Sequence, residues 1–133
     1  MPPKRSKTLT EAELRIMRLL WARGESLVSD LVSAMLESQP LAYTSVLTTV
    51  RILEQKGYVQ HRQEGRAFLY SPTVAENDAI QTEVRHVLQR FFGNSREQLM
   101  LSLLGDGEMA PDGLQRLKRV IARAEAAAKA KED

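Results

Sequence analysis

Near Gly57 the spacing of apolar residues changes from helical to strand-like, and that one change limits what the chain can fold into. Ahead of it lie three stretches with apolar residues three and four apart. Behind it come two short β-prone runs, Tyr58–Arg62 and Arg66–Tyr70, separated by Gln63-Glu64-Gly65. Glu-Gly between such runs reads as a hairpin turn, with Gly65 supplying positive φ. Pro72 closes the unit. Three short helices followed by a two-stranded ribbon is the order of a winged helix-turn-helix, so the fold class expected is mainly α with a small β-ribbon.

The helices carry their own punctuation. Thr10 is a good N-cap, Glu13 completes a capping box, and Leu9 with Leu14 can form a hydrophobic staple. Ile16, Met17, Leu19, Leu20 and Trp21 follow, and Gly24 stops the first helix. A second helix is predicted from near Ser26, burying Leu27, Val28, Leu31, Val32, Met35 and Leu36 and ending before Pro40. The third is predicted from Ser45 to about Lys56, capped by Thr44 and stopped by Gly57.

Beyond Pro72 the pattern is helical throughout. Ile80, Val84, Val87, Leu88, Phe91 and Phe92 form a stripe interrupted by Gly93-Asn94. Ser95 with Gln98 opens a helix rich in Leu99, Met100, Leu101, Leu103 and Leu104. Pro111 suits the first turn of a last helix carrying Leu114, Leu117, Val120, Ile121 and Ala124. Residues 1–8 read as a flexible basic arm with Lys4, Arg5 and Lys7, and residues 129–133 as a flexible tail.

Composition narrows the function. The 133 residues include no cysteine, which removes disulfides, thiolate catalysis and cysteine-bound metal. No apolar run approaches the ~20 residues of a membrane span, and the start lacks a signal peptide's apolar stretch; the expectation is a cytoplasmic protein without membrane insertion. Residues 1–70 carry 10 Lys/Arg against 7 Asp/Glu, while residues 71–133 carry 9 against 10. A basic excess in the first half suits a nucleic-acid partner there. The histidines, His61 and His86, belong to no metal or triad motif. No enzyme activity, cofactor or metal is expected.

Advancing about 100° per residue along the third helix separates two faces. Val46, Val50 and Leu53 pack inward, with Leu47 at the margin. Ser45, Thr48, Thr49, Arg51, Ile52 and Gln55 point outward, with Thr44 at the helix start. That face is mostly polar, with one cation and no carboxylate, and base edges in the major groove offer donors, acceptors and thymine methyls to such a face. A neutral solvated face is the plain alternative. On the ribbon, Arg62 and Arg66 flank the turn and Gly65 lets the backbone approach a phosphate; alternatively the charges only blunt an edge strand.

Leu9-Thr10-x-x-Glu13-x-x-Ile16-Met17 ending at Trp21, Tyr43-Thr44-Ser45-Val46-Leu47-Thr48-Thr49 with Leu53-Glu54-x-Lys56-Gly57, and Glu64-Gly65-Arg66-Ala67-Phe68-Leu69-Tyr70-x-Pro72 together resemble the penicillinase-repressor (BlaI/MecI) family of bacterial regulators, over about residues 9–123. The resemblance implies a homodimeric transcriptional repressor on an inverted-repeat double-stranded DNA operator, in some members controlling β-lactam-response genes. It implies a DNA-binding unit over 9–72 and a helical dimerisation region over 73–128. The pairing residues would be Ile80, Val84, Val87, Leu88, Phe91, Phe92, Leu99, Leu103, Leu117 and Ile121. It also implies, as a further partner, a membrane sensor protease that cuts the dimerisation region between Asn and Phe. The matching position here is Ser102-Leu103, where that polar–aromatic pair is absent. Many members carry Arg where this chain has Ile52. Two other readings stay open: a winged helix used for protein contact, and a regulator responding to a small molecule held between its helices.

Overall fold

The computed structural model describes residues 8–105 and 107–132; the arm expected before Thr8 lies outside them. Its elements are α1 (Glu11–Arg23), β1 (Ser26–Leu27), α2 (Val28–Met35), α3 (Tyr43–Lys56), β2 (Val59–Glu64), β3 (Ala67–Pro72), α4 (Glu76–Phe92), α5 (Arg96–Gly105) and α6 (Pro111–Glu132).

Local chemistry sets most of the ends. The Thr10 hydroxyl accepts from the Glu13 N–H, and Glu13 accepts from the Thr10 N–H at 2.8 Å, so the capping box opens α1 as expected. Gly57 closes α3 at φ 88°, a left-handed conformation with little cost for glycine alone. Gly65 turns the wing at φ 64°.

One core draws on α1, α2, α3, the β2–β3 wing and α4. Ile16, Met17 and Leu20 from α1 meet Val28, Leu31 and Met35 from α2, Val46, Val50 and Leu53 from α3, and Tyr58, Val59 and Tyr70 from the wing. Ala79 of α4 reaches the same cluster. Each large aliphatic buried here is worth roughly 1.5–3 kcal/mol relative to water. α4 is tied down further by polar bonds. The Trp21 indole donates to the Val74 carbonyl at 2.9 Å, and the Leu9 N–H donates to Glu83 at 2.6 Å.

The structure corrects several boundaries. Ser26 and Leu27 do not begin a helix but pair as a strand with Tyr70 and Leu69, so the expected two-stranded ribbon is a three-stranded antiparallel sheet, in the order β1-β3-β2. Pairing satisfies β3 on both edges, and the Asp30 carboxylate, accepting from the Leu27 N–H at 3.0 Å, starts α2 one residue later. Leu36 is not buried but 62% exposed, because α2 ends at Met35. Thr44 is not the cap of α3: extended Ala42 holds that position and Thr44 lies in the first turn. The last helix runs to Glu132, through most of the expected tail.

Beyond Ala79 burial nearly stops. Leu88 is buried, whereas α5 and α6 bury no residue at all. Of the expected pairing residues, Ile80, Val84, Val87, Phe91, Leu103, Leu117 and Ile121 are exposed, and Phe92 and Leu99 are half-buried. Leu88 differs, since its burial is complete within one chain.

Candidate nucleic-acid interface

Two sides of α3 face different surroundings because its apolar residues recur at helical spacing. Val46, Val50 and Leu53 are fully buried, which fixes the rotation of the helix. Thr44, Ser45, Thr48, Arg51 and Gln55 are consequently exposed, while Thr49 and Ile52 are half-buried at the edge of the face. Thr44, Ser45, Thr48 and Thr49 line one shallow depression. The Thr49 hydroxyl donates to the Ser45 carbonyl at 2.8 Å, leaving its methyl to make any outward contact. The sequence reading missed Tyr43. Its spacing from Val46 places it on the packing side, yet at the helix start it projects beyond the core and is 52% exposed.

Arg51 lies near Tyr70, a buried β3 residue, so its charge acts on the Tyr70 phenol. Burial raises the Tyr70 phenol, and the nearby Glu54 charge raises it further against the opposing pull of Arg51. Glu54 itself lies 2.6 Å from His61 Nδ1 on β2. The His61 ring stands 4.7 Å from that of Phe68 and 5.5 Å from that of Tyr70, centroid to centroid.

The two wing arginines have different surroundings. Arg62 donates to both carboxylate oxygens of Glu25, at 2.8 and 2.7 Å, and lies 3.0 Å from Glu64. Its hydrogen bonds to Glu25 push its guanidinium further above the arginine range and hold the Glu25 carboxyl below its own. A cation held by two carboxylates is a poor phosphate ligand, so the structure makes Arg62 a brace between the wing and the α1–β1 connection. Arg66 is exposed beside the turn, with no ion-pair partner among the described residues. Gly65 is open to solvent next to it, with nothing near the position of a Cβ.

An exposed polar helix, a wing whose Arg66 has no ion-pair partner among the described residues, and a rear with exposed apolar side chains are therefore displayed by one molecule. A groove of about 340 Å³ separates α1 from α4, lined by Leu14, Trp21, Ile80 and Val84 with Glu11, Arg18 and Glu83 at its rim. Among the described residues no helix is long and apolar enough to cross a membrane. Nor does any group of three His, Asp or Glu side chains there have an arrangement suited to a metal ion.

Comparison with known proteins agrees with the fold. Residues 9–123 match the family model described as Penicillinase repressor. The penicillinase repressor of Bacillus licheniformis is 22% identical over 89% of this chain and 92% of its own. The methicillin resistance regulatory protein MecI of Staphylococcus aureus (strain N315) is 15% identical over 85% of this chain and 92% of its own. Among solved structures, that of the DNA-binding domain of the repressor BlaI superposes with a TM-score of 0.50 and 25% identity, covering 57% of this chain and 93% of that one.

Proposed function

The chain belongs to the penicillinase repressor family, and from that premise we propose that it represses transcription by binding an inverted-repeat operator as a homodimer. The observation that carries this reading is the division of α3, one side fully buried and the other presenting Ser45, Thr48, Arg51 and Gln55 without a carboxylate among them. Laid in the major groove, that side matches what base edges offer. Arg51 suits the acceptors of guanine, Gln55 the paired donor and acceptor of adenine, and the methyls of Thr48 and Thr49 that of thymine. Arg66 and the backbone at Gly65 serve the phosphates. Glu54, held back by His61, stays clear of them.

Two copies joined through α4–α6 carry two reading helices, so half-sites lie about one helical turn apart, ~10 base pairs centre to centre. β-lactam-response genes are the first targets to test, because the relatives are a penicillinase repressor and a methicillin resistance regulator. Ser102 and Leu103 are exposed within α5, and a cut there by a sensor protease would separate α4 from α6 and so dissolve the pair.

The test is a comparison of variants on a bound duplex. Arg51→Ala and Thr48→Ala are each expected to lower operator selectivity by ~1–3 kcal/mol. Variants with footprints identical to the parent's would show that α3 is not the reader. Arg66→Ala is expected to weaken all sequences about equally and to reduce the salt dependence by about one unit of slope. A loss confined to one base pair would contradict its role on the phosphates.

A further inference from the structure

α6 is a helix of 22 residues that buries none of them, although helices in water owe most of their stability to the packing of an apolar face. Leu117, Val120, Ile121 and Ala124 recur at the i, i+3, i+4, i+7 spacing by which an amphipathic helix anchors in a groove. All four are exposed. Advancing about 100° per residue puts Arg116 on one flank of this stripe and Lys118 on the other. Between Gly113 and Ala124 the charged residues are Arg116, Lys118, Arg119 and Arg123, with no carboxylate among them. The groove between α1 and α4 has the opposite character. Leu14, Trp21, Ile80 and Val84 line it, and no described residue of α6 does. Around it the carboxylates of Glu11, Glu76 and Glu83 outnumber the single guanidinium of Arg18. Neither these charges nor those of α6 have an ion-pair partner among the described residues.

We infer that the α1–α4 groove of each subunit is the seat for α6 of a second copy of the chain. The inference rests on the homodimer proposed above and adds to it a contact with the DNA-binding unit. An apolar groove with a negative rim and an uncovered apolar stripe with positive flanks are complementary in both properties, and one chain carries both halves. Burial of the stripe supplies the affinity. The charges fix the register and disfavour other partners. In a two-fold pair each copy gives one helix and receives one, so the contact forms twice. α1 packs with α3 in the same core. A helix seated between α1 and α4 therefore ties the pairing of subunits to the placement of the reading helix.

The test uses the full chain and two charge-reversed forms of it. One carries Glu11→Lys with Glu76→Lys at the groove, and the other Arg116→Glu with Lys118→Glu on α6. All four positions are exposed, so the core is untouched. Self-association is measured by sedimentation equilibrium, the parent first. A monomeric parent refutes the homodimer reading, and this inference falls with it. With a dimeric parent, each reversed form alone is expected to self-associate about ten- to a hundredfold more weakly, because like charges then meet. A one-to-one mixture is expected to return to within about threefold of the parent, since every groove then faces an α6 of opposite charge. Trp21, the chain's one tryptophan, borders the groove. Its emission in the unaltered chain is expected to move to longer wavelength as dilution empties the groove. Reversed forms that pair as tightly as the parent would overturn the inference. So would a loss cured by placing all four changes in one chain but not by mixing, which would seat each subunit's own α6. Trp21 emission indifferent to dilution of a dimer would overturn it as well. Thermal melts of both reversed forms separate weak pairing from unfolding.

Discussion

Aspartates at Phe91 and Val120 are expected to give a folded single subunit whose affinity for an inverted repeat is lower by about a hundred- to ten-thousandfold. The magnitude is that of losing a second binding event at high effective concentration. Phe91 is 69% exposed and Val120 56% exposed in the single chain, so charging them empties no core position; of the contacts within the chain, the Arg90 guanidinium 5.1 Å from the Phe91 ring is lost. Ile80 and Val84 on α4, Leu103 on α5, and Leu117 and Ile121 on α6 are likewise exposed in one chain. Large apolar side chains left exposed along three successive helices suit an interaction surface. Burying it against a second copy removes it from water, and two opposed carboxylates would make that burial costly. Sedimentation equilibrium reads the assembly and titration of operator reads the affinity. A double variant that still pairs would refute the assigned interface. One that is monomeric yet binds like the parent would refute the need for two half-sites.

The second large effect concerns stability. Lys56→Ala is expected to destabilise the fold by about 3–5 kcal/mol, because it strands a charge in a site that excludes water. Lys56 Nζ lies 2.7 Å from Glu13 Oε1, with side-chain exposures of 7% and 5%, and it also donates to the Thr8 carbonyl at 2.9 Å. Glu13 is thereby used twice, capping α1 and anchoring the end of α3. Lys56→Met with Glu13→Leu removes both charges and is expected to recover most of the loss, as is usual when a buried pair is replaced as a unit. Chemical denaturation gives both values. A single variant within ~0.5 kcal/mol of the parent would show the pair to be dispensable.

The same site sets a pH dependence. Burial raises the Glu13 carboxyl, but the hydrogen bond and charge of Lys56, with the hydrogen bonds of Thr10, outweigh it and hold the group below its ordinary value. A carboxyl lowered on folding stabilises the protein above its unfolded value, about 4.3. That contribution is therefore complete at neutral pH and disappears as pH falls through the folded value. The Lys56→Met/Glu13→Leu chain is accordingly expected to lose less stability than the parent on acidification.

What was legible in the sequence was local. Thr10 with Glu13, Gly57 and Gly65 act within a few residues of themselves, and the helical spacing of Val46, Val50 and Leu53 places the outward face of α3 without reference to the rest of the chain. What was not legible depends on distant partners. Ser26 and Leu27 are a strand only because β3 arrives beside them. Arg62 reads as a free wing cation until Glu25, 37 residues earlier, is found on it. The second use of Glu13 requires Lys56, 43 residues away. Leu36 fits the apolar pattern of α2 but falls just past its last turn. Thr44 has a capping residue's chemistry, but α3 opens one residue before it.

Selection of bound duplexes from random DNA by the full chain tests the central claim most directly. The expected product is a palindrome whose two halves are centred ~10 base pairs apart, with the preferred bases shifting when Arg51 is replaced. Recovery of no common sequence at low salt, or of a lone half-site bound by a single subunit, would contradict the account.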